Sequence, residues 1–396
     1  MDKTQIIGID VGTGTIKVFT GTVATDGGIL ITGSGIMPAS GFVKGVAIDI
    51  PALAMSIKQA VDCAVMANPT IGGYVYLGIS GMEIISLQHV GSIAPISQEG
   101  ITQEDIQRVC RAAVLAIVPK EQQVLHALPT CFWVDKQKQS GLPIGYKGTC
   151  LEAETHIVTV PKIIIDELVA AVQDVGIEIT GIVANAIVGA QVVVPTGAQQ
   201  CLFMDIGAGT TELVLYRDGQ IWLSASLPLG GDYITRDIMQ GVGISQTHAE
   251  EVKRYYAKLD RNLRGQDVVL DCNDYGTTDK QVPYDFLYNI VESRVDEIVY
   301  LVHDYLKPSL TEVSIDQIIV TGGCSALPSI IENIEKTFSV IVHTAVPEQL
   351  SPEYAYSSNT ACYGIMCHAA KHLPHAETLE HSTWNLVLNK IKRFFQ

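Results

Sequence analysis

Two stretches of the sequence share one pattern of apolar and polar positions. Residues 7–19 read IGIDVGTGTIKVF and residues 202–215 read LFMDIGAGTTELVL. In each, a short apolar run ends at an aspartate, a turn of small residues follows, and a second apolar run leaves it. This pattern predicts two β-hairpins of the same design, each with a buried first strand.

Elsewhere the apolar positions alternate between strand and helix spacing, which predicts an α/β protein. In the first half we expect strands at 28–38, 75–79, 125–134, 148–160 and 179–183, and helices at 50–67, from Thr102 and at 162–175. Residues 84–159 interrupt the first layer and are interpreted as a compact inserted subdomain. In the second half we expect strands at 222–228 and 267–271, a helix after Asp232, a long amphipathic helix at 284–306, and a strand, glycine turn and helix over 316–328.

Composition restricts the class of protein. Of 396 residues, 47% are hydrophobic and 17% charged, which is typical of a globular chain long enough for two or more domains. The net charge of −16 argues against a general nucleic-acid binder, which needs a basic surface. Nine cysteines without a CxxC pair indicate free thiols in a reducing cytosol. We find no signal peptide and no apolar run of transmembrane length, and expect a cytosolic protein unless another element ties it to a membrane.

The residue types at the hairpins suit a nucleotide and a metal ion. Glycine lets backbone N–H groups approach phosphate oxygens, and threonine hydroxyls can assist. A carboxylate at a strand end, here Asp10 or Asp205, can hold Mg²⁺ through water. Either hairpin alone is better explained as a tight turn without a ligand. The pair favours two similar half-molecules that clamp one nucleotide.

Two weaker features are compatible with the same site. The Thr321-Gly322-Gly323 turn can bring backbone to a ligand, or it can be an ordinary βα loop. Glu250 and Lys253 can reach one ligand from one helix face. Thr247-x-x-Glu250 also reads as a capping box, and the pair also reads as a surface ion pair.

Other site classes find no support. No Walker A motif occurs, and neither hairpin has the third glycine of a GxGxxG fingerprint, which argues against a P-loop NTPase and a Rossmann dehydrogenase. The ten histidines show no metal-ligand spacing, and we expect His126, His156 and His303 to be structural or solvated.

The last residues form a separate signal. After a polar, histidine-rich linker, residues 384–396 read WNLVLNKIKRFFQ, where helical spacing separates bulky apolar side chains from basic ones. A tethered helix of this kind suits a membrane interface, where each basic residue adds about 1 kcal/mol on anionic lipid. The alternative is a helix docked on the protein's own core. The expected membrane-contacting residues are Trp384, Val387, Leu388, Lys390, Ile391, Lys392, Arg393, Phe394 and Phe395.

Together with further motifs, the hairpins and this tail resemble the FtsA family of bacterial actin-like cell-division proteins over nearly the whole chain. The motifs that carry the resemblance are GISGM at 78–82, ITQEDIQRV at 101–109, LHALP at 125–129, Val134-Asp135, LPLGGDYITRDI at 227–238, AEEVKRYYA at 249–257 and VTGGCSALP at 320–328.

The resemblance implies an α/β, actin-like ATPase fold with two similar lobes around a nucleotide cleft and an FtsA-type inserted subdomain. The implied division is a lobe 1 core of 1–83, 160–196 and 362–370; an inserted subdomain of 84–159; a lobe 2 core of 197–231 and 307–361; a lobe 2 subdomain of 232–306; a linker of 371–383; and a membrane-targeting helix of 384–396.

The resemblance also implies ATP and Mg²⁺ between the lobes, with Asp10 and Asp205 at the metal and these two acids and Asn185 in catalytic positions. The implied nucleotide-binding residues are Gly12, Thr13, Gly14, Thr15, Lys17, Gly207, Gly209, Thr210, Thr211, Gly231, Glu250, Lys253, Gly322 and Gly323.

Two positions depart from the family. Many relatives carry lysine where this chain has Thr15, and Lys17, two residues on and on the same strand face, can substitute in part. Asn185 stands where related ATPases often place the longer Glu or Gln that orients the attacking water. We therefore expect ATP binding with weak or absent hydrolysis.

For function, the resemblance implies a protein that polymerises into protofilaments, binds the C-terminal peptide of FtsZ on residues 232–306, and tethers FtsZ filaments and other divisome proteins to the cytoplasmic face of the membrane at the division site. Two alternatives stay open: an adaptor ATPase of pilus assembly, similar to PilM, and a phosphotransferase similar to sugar kinases.

Overall fold

A computed structural model describes residues 4–24, 27–66, 73–256, 263–266, 268–271 and 281–373. The predicted helix over 384–396 and most of the predicted linker lie outside these residues. The strands are β1 (Thr4–Val11), β2 (Thr15–Val23), β3 (Ile29–Pro38), β4 (Phe42–Val43), β5 (Val46–Ala47), β6 (Tyr74–Ile79), β7 (Ile85–Ile93), β8 (Gln122–Val134), β9 (Gln137–Gln139), β10 (Leu151–Pro161), β11 (Gly181–Ala184), β12 (Cys201–Ile206), β13 (Thr211–Arg217), β14 (Gln220–Leu227), β15 (Val269–Asp271), β16 (Gln281–Pro283), β17 (Gln317–Thr321) and β18 (Ile341–Thr344).

The helices lie mainly against the faces of the larger sheets. They are α1 (Ile50–Met66), α2 (Gln103–Ile117), α3 (Lys162–Gln173), α4 (Asn185–Val193), α5 (Gly231–Val242), α6 (Gln246–Tyr256), α7 (Tyr284–Leu306), α8 (Pro328–Phe338) and α9 (Thr360–Lys371).

Two five-stranded sheets have the same topology. In the first, the order is β11-β6-β1-β2-β3; in the second it is β18-β17-β12-β13-β14. In each, a central strand that carries an aspartate near its end forms an antiparallel hairpin with the next strand and pairs in parallel with a later one. The duplication read from the two hairpins therefore extends through both sheets.

Each sheet is covered by helices whose apolar residues are buried. The helix α7 begins and ends where the sequence predicts, and its buried stripe includes Leu287, Val291 and Val295. Since burial of such side chains contributes roughly 1.5–3 kcal/mol each, this stripe holds α7 on the hydrophobic core beneath the second five-stranded sheet. The helix α9 returns to the first half, where Ile365 and Met366 pack with Ile6 and Phe19 of the first sheet.

Residues 85–161 form a separate four-stranded antiparallel sheet in the order β7-β10-β8-β9, with α2 on one side. The predicted start of α2 is confirmed, because Thr102 and Asp105 form a reciprocal capping box. The edge strand β7 contacts the second large sheet: Ser86 Oγ donates to Ser224 O at 2.6 Å and Gln88 Nε2 to Trp222 O at 2.6 Å.

Most of the predicted elements are present, with shifts at their ends. The strand expected at 148–160 begins at Leu151, that at 179–183 lies at Gly181–Ala184, and that at 267–271 is confined to Val269–Asp271. The helix α9 runs through Lys371, so the predicted linker does not begin there. The strands β7 and β18 and the helices α4 and α9 are among the elements without a counterpart in the prediction.

Candidate functional site

The tips of the two hairpins meet. A side chain on Gly209 would place its Cβ 2.5 Å from Thr13 Oγ1, and one on Gly14 would place its Cβ 2.8 Å from Ala208 Cβ. Real Cβ atoms do not approach other atoms this closely. Glycine is therefore required at both tips for this contact between the two halves of the chain.

The first aspartate sits in a polar cluster drawn from both ends of the chain. Asp10 is opposite Lys17 in the hairpin register, and Lys17 Nζ lies 3.7 Å from Asp10 Oδ2 while it also donates to Ser358 O. Asn185 Nδ2 donates to Asp10 Oδ1 at 2.7 Å and to Ser80 Oγ at 3.0 Å. Burial raises the pKa of Asp10, and the charge of Lys17 opposes that rise.

The second aspartate is held by the Thr321-Gly322-Gly323 turn. Thr321 Oγ1 donates to Asp205 Oδ2 at 2.9 Å. Gly322 has a φ of +88°, and a Cβ there would lie 2.6 Å from Asp205 Oδ1, so only glycine fits. Loss of solvent around the carboxylate raises the pKa of Asp205 to about 6.

A third acid, Glu212, was missed by the sequence reasoning. It is buried, lies directly opposite Asp205 in the hairpin register, and accepts from Ser226 Oγ at 2.9 Å. Burial raises its pKa to about 8. The signal was present in the alignment of the two hairpins, because Glu212 occupies the position that Lys17 has in the first.

Glu250 and Lys253 form one polar cluster at the start of α5. Lys253 Nζ lies 2.6 Å from Glu250 Oε2 and also donates to Gly231 O at 3.1 Å and Thr235 Oγ1 at 2.8 Å. The predicted capping box is wrong: α6 begins at Gln246, and Ser245 Oγ accepts from His248 N at 3.2 Å instead. The ion-pair interpretation is correct, but Lys253 is buried.

Several of the other predicted hairpin residues use their polar groups in hydrogen bonds within the protein. Gly12 N donates to Thr15 O at 3.2 Å and Gly207 N to Thr210 O at 2.9 Å, so these amides close the turns. Thr211 Oγ1 donates to Leu229 O at 2.9 Å and is engaged inside the second lobe.

The site has one polar atom with no partner among the described residues. Asn185 Oδ1 is buried and accepts no hydrogen bond, although the amide nitrogen of the same side chain bonds Asp10. A buried acceptor of this kind carries a cost unless water or a ligand satisfies it. Two largely desolvated carboxylates, each next to a glycine-rich turn, fit a hydrated Mg²⁺ ion and the phosphates of a nucleotide.

Other surfaces of the described residues offer less chemistry. A cavity of about 690 Å³ lies away from the hairpin tips, between β8–β9 and the β13–β14 turn, and is lined in part by Trp133, Arg217 and Trp222. Among the described residues, no three His, Cys, Asp or Glu side chains are placed to hold a metal ion. None of the described helices has the length and apolarity needed to cross a bilayer.

Comparison with known proteins identifies similar sequences. A family model described as "Cell division protein FtsA" matches residues 202–361, and one described as "SHS2 domain inserted in FTSA" matches residues 81–159. The chain is 31% identical over 375 residues to the cell division protein FtsA of Pseudomonas aeruginosa, covering 91% of this chain and 89% of that protein. It is 29% identical over 359 residues to FtsA of Bacillus subtilis, covering 88% and 80%.

Solved structures show the same fold at lower identity. The PilM-PilN type IV pilus biogenesis complex contains a chain that matches with a TM-score of 0.66 at 16% identity, covering 93% of this chain and 99% of that one. MreB 5 of Spiroplasma citri bound to AMPPNP matches with a TM-score of 0.51 at 14% identity, with full coverage of both chains.

Proposed function

The chain belongs to the FtsA family of cell-division proteins, and from that premise we propose that it binds Mg²⁺-ATP between its two hairpins and links FtsZ filaments to the membrane. Its fold is that of the actin-like ATPases with the FtsA-type inserted subdomain. The observation that carries the nucleotide proposal is the meeting of two glycine tips, each backed by an aspartate whose pKa is raised by loss of solvent.

In the proposed complex, the hairpins hold the phosphates from both sides. Gly12, Thr13 and Gly14 of the first hairpin face the turn formed by Gly207, Gly209 and Thr210 of the second, and Lys17 neutralises charge beside Asp10. Asp10 and Asp205 would hold a hydrated Mg²⁺ ion, which would neutralise phosphate charge. MreB 5 of Spiroplasma citri, which shares this fold, was solved bound to AMPPNP, and this supports a nucleotide here.

The nucleoside is proposed to lie beside α5, α6 and the Gly322-Gly323 turn. Lys253 donates a hydrogen bond to the carbonyl of Gly231, the first residue of α5, and Glu250 holds Lys253 in place through an ion pair. Both side chains therefore shape this wall of the pocket as well as offering charge to the ligand.

We expect hydrolysis to be slow. The Oδ1 of Asn185 is buried against Gly78 and has no hydrogen-bond partner among the described residues. The amide nitrogen of Asn185 is committed to Asp10, and its side chain is one methylene shorter than Gln. The proposed role of ATP is to set the polymerisation state of the protein.

The finer cellular role follows from the family. We propose that residues 232–306 receive the FtsZ C-terminal peptide, that copies of the chain polymerise into protofilaments, and that residues 384–396 lie on the cytoplasmic face of the membrane at the division site. The subdomain limits given for the resemblance are part of this proposal. A pilus adaptor is not favoured, because the likeness to PilM is one of fold at 16% identity, whereas the relatives above 28% identity are division proteins.

Two measurements test the proposal. Equilibrium binding of ATP should be magnesium-dependent and should fall at least tenfold in Asp10→Asn and in Asp205→Asn, with the exposed Asp62→Asn as matched control. Failure of the wild-type chain to bind ATP would overturn the nucleotide proposal.

Co-sedimentation with anionic liposomes tests the membrane proposal. The full chain should pellet with the liposomes, a chain ending at Ser382 should not, and purified FtsZ should pellet only when the full chain is present. Equal pelleting of both forms, or of neither, would contradict the proposed anchor. If the full chain pelleted with the liposomes but FtsZ stayed in the supernatant, the proposed link to FtsZ would be wrong and the proposed membrane anchor would stand.

A further inference from the structure

Resting on the proposed nucleotide site, we propose that Lys44 is a specificity-determining residue whose ammonium distinguishes a nucleoside triphosphate from a diphosphate. Lys44 lies in the β4–β5 turn of the first half of the chain, outside both hairpins. Its ammonium reaches across to the second half, where it donates to Tyr233 Oη at 2.8 Å and lies 4.7 Å from the centre of that ring.

The backbone of Lys44 is attached to the first hairpin tip. Lys44 N donates to Thr13 Oγ1 at 3.0 Å, and the Lys44 carbonyl accepts from Met82 N at 3.3 Å. Because the threonine hydroxyl accepts from this amide, its own proton remains for a phosphate oxygen. The β4–β5 turn is therefore built onto the hairpin that is proposed to hold the phosphates.

This attachment is made at a conformational cost. Lys44 has a φ of +51°, a region that a residue with a side chain rarely adopts, and the neighbouring Gly45 would place a Cβ 2.3 Å from Gly81 Cα. Such strain persists where the surrounding structure enforces it. The close packing of Gly45 on Gly81 is the contact that enforces it here.

The partner of Lys44 is fixed to the second hairpin. Tyr233 is the third residue of α5, and the two residues before it donate to the turn: Gly231 N to Gly207 O at 2.9 Å, and Asp232 N to Ala208 O at 2.8 Å. The ammonium is therefore held beside both tips. A terminal phosphate bound beside the touching tips would lie within the range of this flexible side chain.

Lys44 differs from the other two lysines at the site in what it neutralises. Lys17 is paired with Asp10 and Lys253 with Glu250, whereas the hydrogen-bond partner of the Lys44 ammonium is a neutral phenol. The charge of Lys44 also acts on Asp232, although the charge of Lys253 acts on that carboxylate more strongly. Movement of the ammonium from Tyr233 to a phosphate therefore exchanges a hydrogen bond to a neutral acceptor for one to an anion, in which donor and acceptor carry opposite charges.

The test compares the affinities of the full chain for Mg²⁺-AMPPNP and Mg²⁺-ADP. In Lys44→Met the ratio of the two affinities should fall about tenfold or more, because a hydrogen bond to a charged group is lost with the triphosphate alone. Lys44→Arg should restore part of the ratio. The matched control is Lys58→Met, an exposed lysine on α1 that is paired with Asp62.

Tyr233→Phe gives a second test with the opposite sign. It keeps the ring but removes the hydroxyl that Lys44 bonds at rest, so the preference for the triphosphate should rise several-fold, because the ammonium no longer gives up a hydrogen bond when it moves to the phosphate. A merely structural contact between Lys44 and Tyr233 predicts instead that both variants weaken the two ligands equally. That result, or an unchanged ratio in Lys44→Met, would overturn the inference while the nucleotide proposal stands. If the wild-type chain bound neither ligand, the nucleotide proposal itself would fail and this inference with it.

Discussion

Replacement of Glu212 by glutamine should make the protein more stable at alkaline pH. Glu212 is buried, and burial raises its pKa from 4.5 to about 8. A group whose pKa is raised in the folded state holds its proton there after the unfolded chain has released it. The wild-type protein therefore loses stability as pH rises from about 4.5 through about 8, whereas glutamine keeps the shape and the hydrogen bonding and does not titrate.

The size of the effect follows from that pKa. Each pH unit between the two pKa values changes the free energy of unfolding by about 1.4 kcal/mol. Between pH 5.0 and 8.5 the linkage relation gives the Gln variant a relative gain of about 4 kcal/mol. For a folding unit of about 150–250 residues, a change of 1 kcal/mol in the free energy of unfolding shifts the unfolding midpoint by about 2–4 °C. The gap between the two midpoints should thus widen by about 10 °C.

The assay is thermal unfolding of wild type and Glu212→Gln in parallel, without nucleotide and with a chelator, at pH 5.0 and 8.5. Other acids titrate in both proteins and cancel in the difference. The exposed Glu178→Gln serves as the matched control and should show no widening. A gap that stays constant with pH would mean that Glu212 is ionised in the folded protein beside a compensating cation. The electrostatic account of the second hairpin would then be wrong.

Three substitutions in the candidate site have predictable consequences. Gly209→Val should weaken ATP binding at least tenfold by forcing a side chain against Thr13, with partial recovery in the double variant that also carries Thr13→Ala, both measured by equilibrium titration. Asn185→Asp places a second carboxylate where an amide now donates to Asp10 at 2.7 Å, and titration with Mg²⁺-ATP should show at least a tenfold weaker affinity at pH 8 than in wild type. Lys253→Met removes a buried cation and leaves Gly231 O and Glu250 without it; the unfolding midpoint should fall by several degrees, and an unchanged midpoint would contradict the structural role given to this lysine.

The parts of the fold that sequence predicts best are those with a strong local signal. Apolar runs that end at Asp10 and Asp205 predict the two hairpins. Seven apolar positions at helical spacing predict α7. These signals are local because backbone geometry alone sets the period of 2 or 3.6 residues. The sequence also predicts a glycine turn at Gly322, but its place beside Asp205 follows from the parallel pairing of β12 with β17, which has no local signal.

Prediction fails where the local signal is mixed or where tertiary contacts decide. The strand β7 has no alternation of buried and exposed residues, because it is half-covered on both faces. The helix α4 follows β11 without an intervening loop and is buried nearly all round, so no boundary is visible in its sequence. The Thr247 motif matches a capping box, but Glu250 instead bonds Lys253 and Thr235. Contacts such as Lys44 with Tyr233, 189 residues away, have no local signal.

The two hairpins have the same backbone and the same pairing, but they differ in the charge set opposite the aspartate. In the first, Lys17 stands opposite Asp10; in the second, Glu212 stands opposite Asp205. Two like charges at directly opposite positions destabilise a hairpin unless one is neutral or a cation joins them. A ligand with two equal ends would need no such difference. This single register position therefore makes the two halves differ in charge: the first half pairs its aspartate with Lys17, whereas the second sets Glu212 beside Asp205, on which the charge of Lys17 also acts.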